Sequence, residues 1–383
     1  MDRKINVGLI GYKFMGKAHS NAYLSVSKFF SSKLDPALKV VCGRDEKAVR
    51  EFQKQWGWEE YSTDWRSVVS RDDIDIVDIS TPNNSHCEIA LAAARAGKSI
   101  ICEKPLAMNV AEAKKMVDAV KKAKVINMIC HNYRRVPALS LAKEMIDAGE
   151  LGKIYHYRSF YLQDWITDPN FPLVWRLRKE QAGSGVHGDL NAHIIDLAHY
   201  LVGDVGEVVG MMETFIKQRP LPTGMSGLSA KASRKMGKVT VDDAVLALAR
   251  FKNGALGSFE ATRFALGRKN GQRIEINGSK GSIVFELERM NELQFYRGED
   301  QPGRQGFRLI QVTESQHPFI QAYWPPGHII GYEHSFINTV KDFLEAIAAG
   351  KHSIKPDFED GLKVQKVLAA IEKSCKTKRW VKV

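Results

Sequence analysis

The sequence predicts an α/β domain built on a doubly wound parallel sheet, followed by an α+β domain whose sheet is mostly antiparallel. Three observations predict it. Short apolar strand patterns alternate with helical patterns up to about residue 130, which is the rhythm of βαβ units. The first strand runs directly into a glycine turn and a helix, the context in which a glycine motif gains meaning. From Lys153 onward strand patterns dominate, with one helix among them, as in an antiparallel sheet covered on one side. At 383 residues the chain also exceeds the size at which a single core keeps growing, so two domains are expected.

In chain order, Ile5–Ile10 is a buried strand, followed by Gly11-Tyr12-Lys13-Phe14-Met15-Gly16 and a helix from Ala18 to Val26. The first glycine permits the tight turn, the last lets the helix pack closely, and a pyrophosphate would sit at the helix N-terminus. Lys13 stands where the middle glycine of GxGxxG belongs; its ammonium contacts a phosphate or points to water. A second strand, Lys39–Cys42, ends in Gly43-Arg44-Asp45. An acid there selects the ribose 2′-hydroxyl and an arginine suits a 2′-phosphate. Gly43 and Arg44 leave NAD expected and NADP open, while Asp45 reads as the N-cap of a helix over Glu46–Trp56.

The third strand, Asp75–Ser80, closes with Thr81-Pro82-Asn83, and a helix from His86 to Ala96 ends at Gly97, in the manner of a C′ glycine. Ser99–Cys102 is then a strand stopped by Glu103-Lys104-Pro105, because proline removes a ladder donor. Ligands of open α/β sheets gather beyond the carboxyl ends of strands. Lys104 therefore stands where a small molecule is expected; the alternative is a surface lysine at a strand end. A helix over Val110–Lys122 and a strand over Val125–Cys130 complete the domain, set at residues 1–130.

Residues 131–356 form the expected second domain. It opens with a helix from Pro137 to Ala148 that stops at Gly149, and continues as strands over Ile154–Leu162, Val205–Phe215, Ala244–Phe251, Ala255–Ala261, Arg273–Gly278 and Ser282–Leu287. A helix over Asn191–Leu201 interrupts them, and residues 219–240 read as a loop insertion. Helices over Tyr332–Ala349 and Phe358–Ser374 close the chain, with 357–383 expected to return to the first domain. Within Gly183–His193 a glycine-rich loop enters a helix, and Asp189 and His193 are four residues apart, which puts them on one helical face. A carboxylate beside an imidazole orients it and raises its basicity, as a general base requires. The alternative is a helix cap with an incidental histidine, and His187 and His199 are competing bases.

Composition excludes other classes. Net charge is +12, from 56 Lys and Arg against 44 Asp and Glu. The lysines lie mostly on helical stretches such as Lys114-Lys115 and Lys121-Lys122, not interleaved with aromatics as in a nucleic-acid binder. Five dispersed cysteines without CxxC spacing argue for reduced thiols in the cytoplasm and against a metal site. No apolar run approaches the ~20 residues of a membrane helix, and no signal-peptide pattern is expected at the start.

Val7-Gly8-Leu9-Ile10-Gly11 with Phe14-Met15-Gly16-Lys17-Ala18-His19, Ser80-Thr81-Pro82-Asn83 with His86, Glu103-Lys104-Pro105, and Gly188-Asp189 with His193 together resemble the Gfo/Idh/MocA oxidoreductase family. The resemblance covers nearly the whole chain. It implies an N-terminal Rossmann domain and a C-terminal domain with a large open-faced sheet through which copies form a dimer or tetramer. It also implies a nicotinamide cofactor and a sugar, inositol or glycoside substrate. By position, Lys104, Asp189 and His193 match the family's catalytic residues. The cofactor would meet Gly11, Lys13, Phe14, Met15, Gly16, Gly43, Arg44, Thr81, Pro82, Asn83, His86, Glu103 and Lys104, and the Lys104–Pro105 peptide is often cis in such proteins. Asn132-Tyr133-Arg134-Arg135, Tyr161–Trp165 and Trp175-Arg176 look most like the glycoside 3-dehydrogenases of the family. They make Tyr133, Arg134, Gln163, Trp165 and Arg176 candidate sugar contacts beside Lys104, Asp189 and His193. The expected reaction is reversible oxidation of a secondary sugar hydroxyl, at C3, to a ketone. The alternatives are an inositol or polyol dehydrogenase, or a redox-neutral enzyme that holds NAD tightly.

Overall fold

Strands rich in Val, Ile and Leu bury both faces in the first half of the chain, and alternate buried and exposed residues in the second. The computed structural model describes residues 3–223, 231–351 and 353–383. The chain divides into two units, Met1–Asn132 with Gly331–Gln365 and Tyr133–Ile330 with Lys366–Val383.

In the first unit the elements run β1 (Arg3–Ile10), α1 (Phe14–Phe29), β2 (Leu34–Cys42), α2 (Glu46–Trp56), β3 (Glu60–Ser62), α3 (Trp65–Val69), β4 (Ile76–Ile79), α4 (His86–Arg95), β5 (Ser99–Cys102), α5 (Val110–Ala123) and β6 (Asn127–Ile129). The six strands form a parallel sheet in the order β3-β2-β1-β4-β5-β6. The order reverses between β1 and β4, the place where doubly wound sheets bind ligands. Register aligns the strand ends, since Ile10 pairs with both Cys42 and Ile79, and Ile79 pairs with Cys102. Gly11, Gly43, Ser80 and Glu103 therefore form one row at the carboxyl edge. Asp45 caps α2 by accepting from the Ala48 N–H, and Gly57 ends it at φ +73°.

β2 starts five residues earlier than its apolar pattern indicates, and contains Pro36. Proline is tolerated there because β3 pairs only with Val40–Cys42, so Pro36 lies on an edge. Gly331–Gln365 belongs to the first unit rather than the second, which corrects the boundary expected after residue 356. The helix Tyr332–Ala348 lies along α1, with Tyr332 stacked on Phe14 at 6.4 Å between ring centroids. The last helix, Phe358–Thr377, is divided between the units at Gln365 and Lys366.

The second unit adds α6 (Pro137–Asp147), β7 (Ile154–Leu162), α7 (Lys179–Ala182), α8 (Ala192–Leu201), β8 (Val205–Glu213), β9 (Gln218–Thr223), β10 (Lys231–Lys238), β11 (Ala244–Phe251), β12 (Leu256–Thr262), β13 (Gly271–Gly278), β14 (Gly281–Glu286), β15 (Glu292–Arg297), β16 (Arg308–Gln311) and β17 (Val381–Lys382). Nine of these strands form one sheet in the order β16-β15-β14-β13-β7-β12-β11-β8-β17. Among the described residues only β7 and β12 pair in parallel. The strands alternate: on β7 Tyr157, Ser159 and Tyr161 are buried while Arg158 between them is exposed, as a sheet covered on one face requires.

The loop expected over 219–240 is instead the antiparallel pair β9 and β10, in which Gln218 opposes Lys238 and Arg219 opposes Gly237. Residues 224–230 of that stretch lie outside the described residues. Pro220 and Pro222 hide β9 from pattern recognition, but a two-stranded ribbon is all edge and accommodates them. Among the described residues, no helix is long and apolar enough to cross a membrane.

Candidate active site

The glycine turn after β1 has no room for side chains. Gly11 lies at φ +109°, and a Cβ there would stand 2.4 Å from the Ser80 carbonyl oxygen. A Cβ on Gly16 would stand 2.4 Å from the Gly11 carbonyl oxygen. Lys13 occupies the N-cap of α1 without capping it through its side chain, and the first turn carries no acid. The first N–H groups of this 16-residue helix thus point to the carboxyl edge with the positive end of its dipole, and these features fit a dinucleotide pyrophosphate. Phe14 and Met15 complete the first turn, with Phe14 held by Tyr332.

The missing acid after β2 has a steric cause. A Cβ on Gly43 would fall 2.2 Å from the Tyr12 ring, so the tyrosine covers this position and leaves only glycine possible. Arg44 beside it is exposed. After β4, Thr81-Pro82-Asn83 enters a short 3₁₀ turn, where the Ser85 hydroxyl donates to Thr81 Oγ1 at 2.7 Å. His86 was expected at the cofactor, but the structure gives it another role. Its fully buried ring places Nδ1 3.0 Å from the Pro105 carbonyl and Nε2 2.9 Å from the Thr81 carbonyl. It braces the two loops from beneath, and burial pushes its imidazole below the ordinary value.

Lys104 follows β5, is partly buried, and makes a cis peptide with Pro105. Glu103 turns inward. Its Oε2 accepts from the Lys104 N–H at 3.2 Å, and its Oε1 lies 2.9 Å from His19 Nε2. His19 Nδ1 lies 2.7 Å from Asp78 Oδ2, which also accepts from the Tyr23 hydroxyl at 2.9 Å. Burial alone would lower the His19 imidazole, but Asp78 outweighs it and holds the group well above its ordinary value. Burial likewise opposes the Glu103 charge, yet His19 keeps that carboxyl below the usual range. His19, Glu103 and Cys130 bring ligand-type atoms within 4.8 Å of one another. The imidazole spends both nitrogens on carboxylates, and burial pushes the Cys130 thiol up to about 12. The trio is a hydrogen-bonded cluster and not a preformed thiolate ligand set.

In the second unit the glycine-rich loop fits against Asp242, whose carboxylate accepts from the Gly185 and His187 N–H groups at 2.7 Å each. A Cβ on Gly185 would meet the Asp242 carbonyl oxygen at 1.9 Å. His187–Asn191 then forms one π-helical turn ahead of α8. The wider turn takes Asp189 and His193 off the regular four-residue face. Asp189 pairs with Arg263, a buried cation that nothing in its sequence surroundings singles out. The Arg263 guanidinium carbon lies 5.1 Å from the Trp165 ring centroid. His187 is not a rival base: its Nε2 lies 2.9 Å from the Leu368 carbonyl and its Nδ1 3.1 Å from Asn191 Nδ2.

His193 is buried, with its ring 4.5 Å from the Tyr133 ring and 5.9 Å from Tyr161. The Tyr133 and Tyr161 hydroxyls are 2.9 Å apart. Tyr161 donates to Asn270 Oδ1 at 2.8 Å, Gln163 Nε2 donates to the same oxygen at 3.0 Å, and Trp165 Nε1 donates to Gln163 Oε1 at 2.8 Å. Tyr133, Gln163, Trp165, Asp189 and His193 thus belong to one polar, aromatic cluster, joined by Tyr161, Asn270 and Arg263. Tyr161 was discoverable from the two-residue alternation of β7. Arg134 leaves this group: it forms a bidentate pair with Asp196 at 2.8 and 2.6 Å, both buried, and lies over the Tyr200 ring. That geometry makes it a core ion pair rather than a sugar contact. Arg176 sits in the short turn Trp175–Leu177, its guanidinium carbon 4.5 Å from the Trp175 ring centroid.

The family description "Oxidoreductase family, NAD-binding Rossmann fold" matches residues 5–131, and "GFO/IDH/MocA C-terminal domain" matches residues 139–284. The chain belongs to the Gfo/Idh/MocA oxidoreductase family. Within the family it is 46% identical to levoglucosan dehydrogenase of Pseudarthrobacter phenanthrenivorans, over 100% of this chain and 98% of that protein. The solved structure of levoglucosan dehydrogenase in complex with NADH and levoglucosan matches with a TM-score of 0.94, 46% identity and coverage of 100% and 99%. An oxidoreductase domain protein from Kribbella flavida matches with a TM-score of 0.95 and 51% identity, each chain fully covered. As a Gfo/Idh/MocA member, this chain is an NAD-binding oxidoreductase.

Proposed function

We propose that this enzyme reversibly oxidises a secondary hydroxyl of a sugar or glycoside to the ketone, acting at C3, with levoglucosan as the first substrate to test. The observation that carries the proposal is the cluster around His193, where an imidazole shares a polar surface with two tyrosine hydroxyls, two amides and an indole. Planar amide donors and acceptors beside aromatic faces suit a polyol ring with an apolar face. Its likeness to levoglucosan dehydrogenase supports the same substrate class.

NAD, when bound, supplies the hydride acceptor. The residues of this chain do the rest. His193 accepts the hydroxyl proton, packed against Tyr133 so that its ring cannot swing freely. Lys104 stabilises the negative charge that develops on the oxygen, a role suited to a compact ammonium. Asp189, anchored by Arg263, holds a second hydroxyl and keeps its place beside the base. Lys13 and the α1 terminus hold the pyrophosphate.

The enzyme works in the cytoplasm as a homo-oligomer. Met211, Leu246, Leu248 and Leu256 are exposed on one face of the large sheet, and Met211 and Leu246 are directly paired. An apolar stretch of this kind on a soluble sheet marks an association surface, and Leu246→Lys with Leu248→Lys should yield monomers in analytical ultracentrifugation. The activity itself is tested with a sugar panel and NAD. Stoichiometric NADH with levoglucosan and a C3 ketone by NMR support the reading; turnover of a sugar without net NADH overturns it.

A further inference from the structure

The cluster beneath Lys104 is not needed to hold a dinucleotide or a sugar, yet it buries two carboxylates and an imidazole. We propose that His19 is a positioning residue for Lys104: by bridging Asp78 and Glu103 it fixes the Glu103 carboxylate against the Lys104 backbone and so sets the origin of the lysine side chain. The proposal rests on the catalytic reading of Lys104.

The geometry comes from the sheet. Asp78 pairs with Ile101 across β4 and β5, and alternation puts Glu103 on the same face as Ile101. That face is covered by α1, which delivers His19 between the two acids. The distances are 2.7 Å to Asp78 and 2.9 Å to Glu103. Ionised carboxylates only accept hydrogen bonds, so an imidazole that serves two of them must donate from both nitrogens and is therefore an imidazolium. The raised His19 and lowered Glu103 agree with that assignment.

Further groups face this trio from the elements packed around it. Tyr23 on α1 donates to Asp78, and Ser80 after β4 donates to its other oxygen at 3.0 Å. Burial raises Tyr23, Cys102 and Cys130, so all three are neutral near pH 7. Burial pushes the His86 imidazole below its ordinary value, against the two carbonyls that its ring nitrogens face. From the helix Tyr332–Ala348 the Phe336 ring lies 5.5 Å from the His19 ring. The two carboxylates and the imidazole lie next to the Lys104 ammonium, whose charge helps to hold Glu103 ionised. Glu103 is thus tied on one oxygen to His19 and on the other to the Lys104 N–H. A slack Glu103 would loosen the backbone from which Lys104 starts, and misplacement by about 1 Å costs on the order of 10²-fold in rate.

The test is a double-mutant cycle on the full-length enzyme, with His19→Gln, Lys104→Ala and the pair, measured with NAD and levoglucosan. Residues acting as one unit are non-additive. His19→Gln should lower kcat by about 10–100-fold while KM for the sugar and Kd for NADH hold within about 3-fold, and should cost nothing further in the Lys104→Ala background. If His19→Gln does not fold, Glu103→Gln keeps the shape, removes one charge and should give the same pattern. Nitrogen-15 NMR should show both His19 ring nitrogens protonated at pH 7. A loss that adds fully to that of Lys104→Ala, a neutral His19, or a metal ion co-purifying at one per chain would each overturn the proposal. Lys104→Ala with wild-type turnover would instead remove the catalytic reading on which it stands, a result distinct from additivity.

Discussion

Arg263 offers a direct measure of how the second unit holds Asp189. Its side chain is 1% exposed while that of Asp189 is 32% exposed, so the pair is buried at one end and wetted at the other. Removing one partner of a fully buried pair costs ~3–5 kcal/mol, and solvent at the Asp189 end screens part of that. Loss of the contact over Trp165 adds about 0.5–2 kcal/mol. Arg263→Leu, which keeps an apolar stem in the hole, should therefore destabilise the protein by about 2–3 kcal/mol and lower Tm by about 3–4 °C. Freed from its cation, Asp189 can swing, and kcat with levoglucosan should fall by about 10²-fold. Arg263→Lys keeps the charge, loses the planar fork, and should fall between. Scanning calorimetry and initial rates of NADH formation read both effects. Arg263→Leu with wild-type kcat and KM would refute the idea that this pair holds Asp189 in its working position.

Other expectations follow from single contacts. Gly43→Ala should cost about 1–3 kcal/mol of stability and weaken NADH binding, because its Cβ collides with Tyr12; Tyr12→Ala in the same chain should restore the fold, as read by calorimetry and fluorescence titration. Arg134→Met should remove the buried fork on Asp196, destabilising by about 3–5 kcal/mol, with KM for the sugar unchanged in whatever folds. The His19 clamp has a definite pH dependence. Its imidazole is raised in the folded state, so its contribution is complete below the unfolded value of about 6.5 and is lost as pH climbs toward the folded value. The Tm gap between wild type and His19→Gln should accordingly narrow from pH 6 to pH 10, and a gap that widens over that range would contradict a charged His19.

Much of the first unit was legible because βαβ units repeat strong local signals. The helix Glu46–Trp56 and the strand Ser99–Cys102 have the bounds that their caps and stops indicate. Elements that rely on partners were not legible. β3 has three residues, and β9 carries two prolines that only an edge permits. At the site, the glycines and the Lys104, Asp189 and His193 positions come from motifs, while their partners come from far along the chain. Arg263 lies 74 residues from Asp189, and His19 lies 84 residues from Glu103. Arg134 shows the converse failure: a motif arginine looks like a ligand contact until Asp196, 62 residues on, accepts both arms of its fork.

The origin of the hydride and the side chain that takes the proton can be read in one experiment. Levoglucosan deuterated at C3 should transfer one deuterium per NADH formed, with a primary isotope effect on kcat, and His193→Asn should slow that transfer by at least ~10²-fold. Unlabelled NADH from that substrate, or undiminished transfer by His193→Asn, would contradict it.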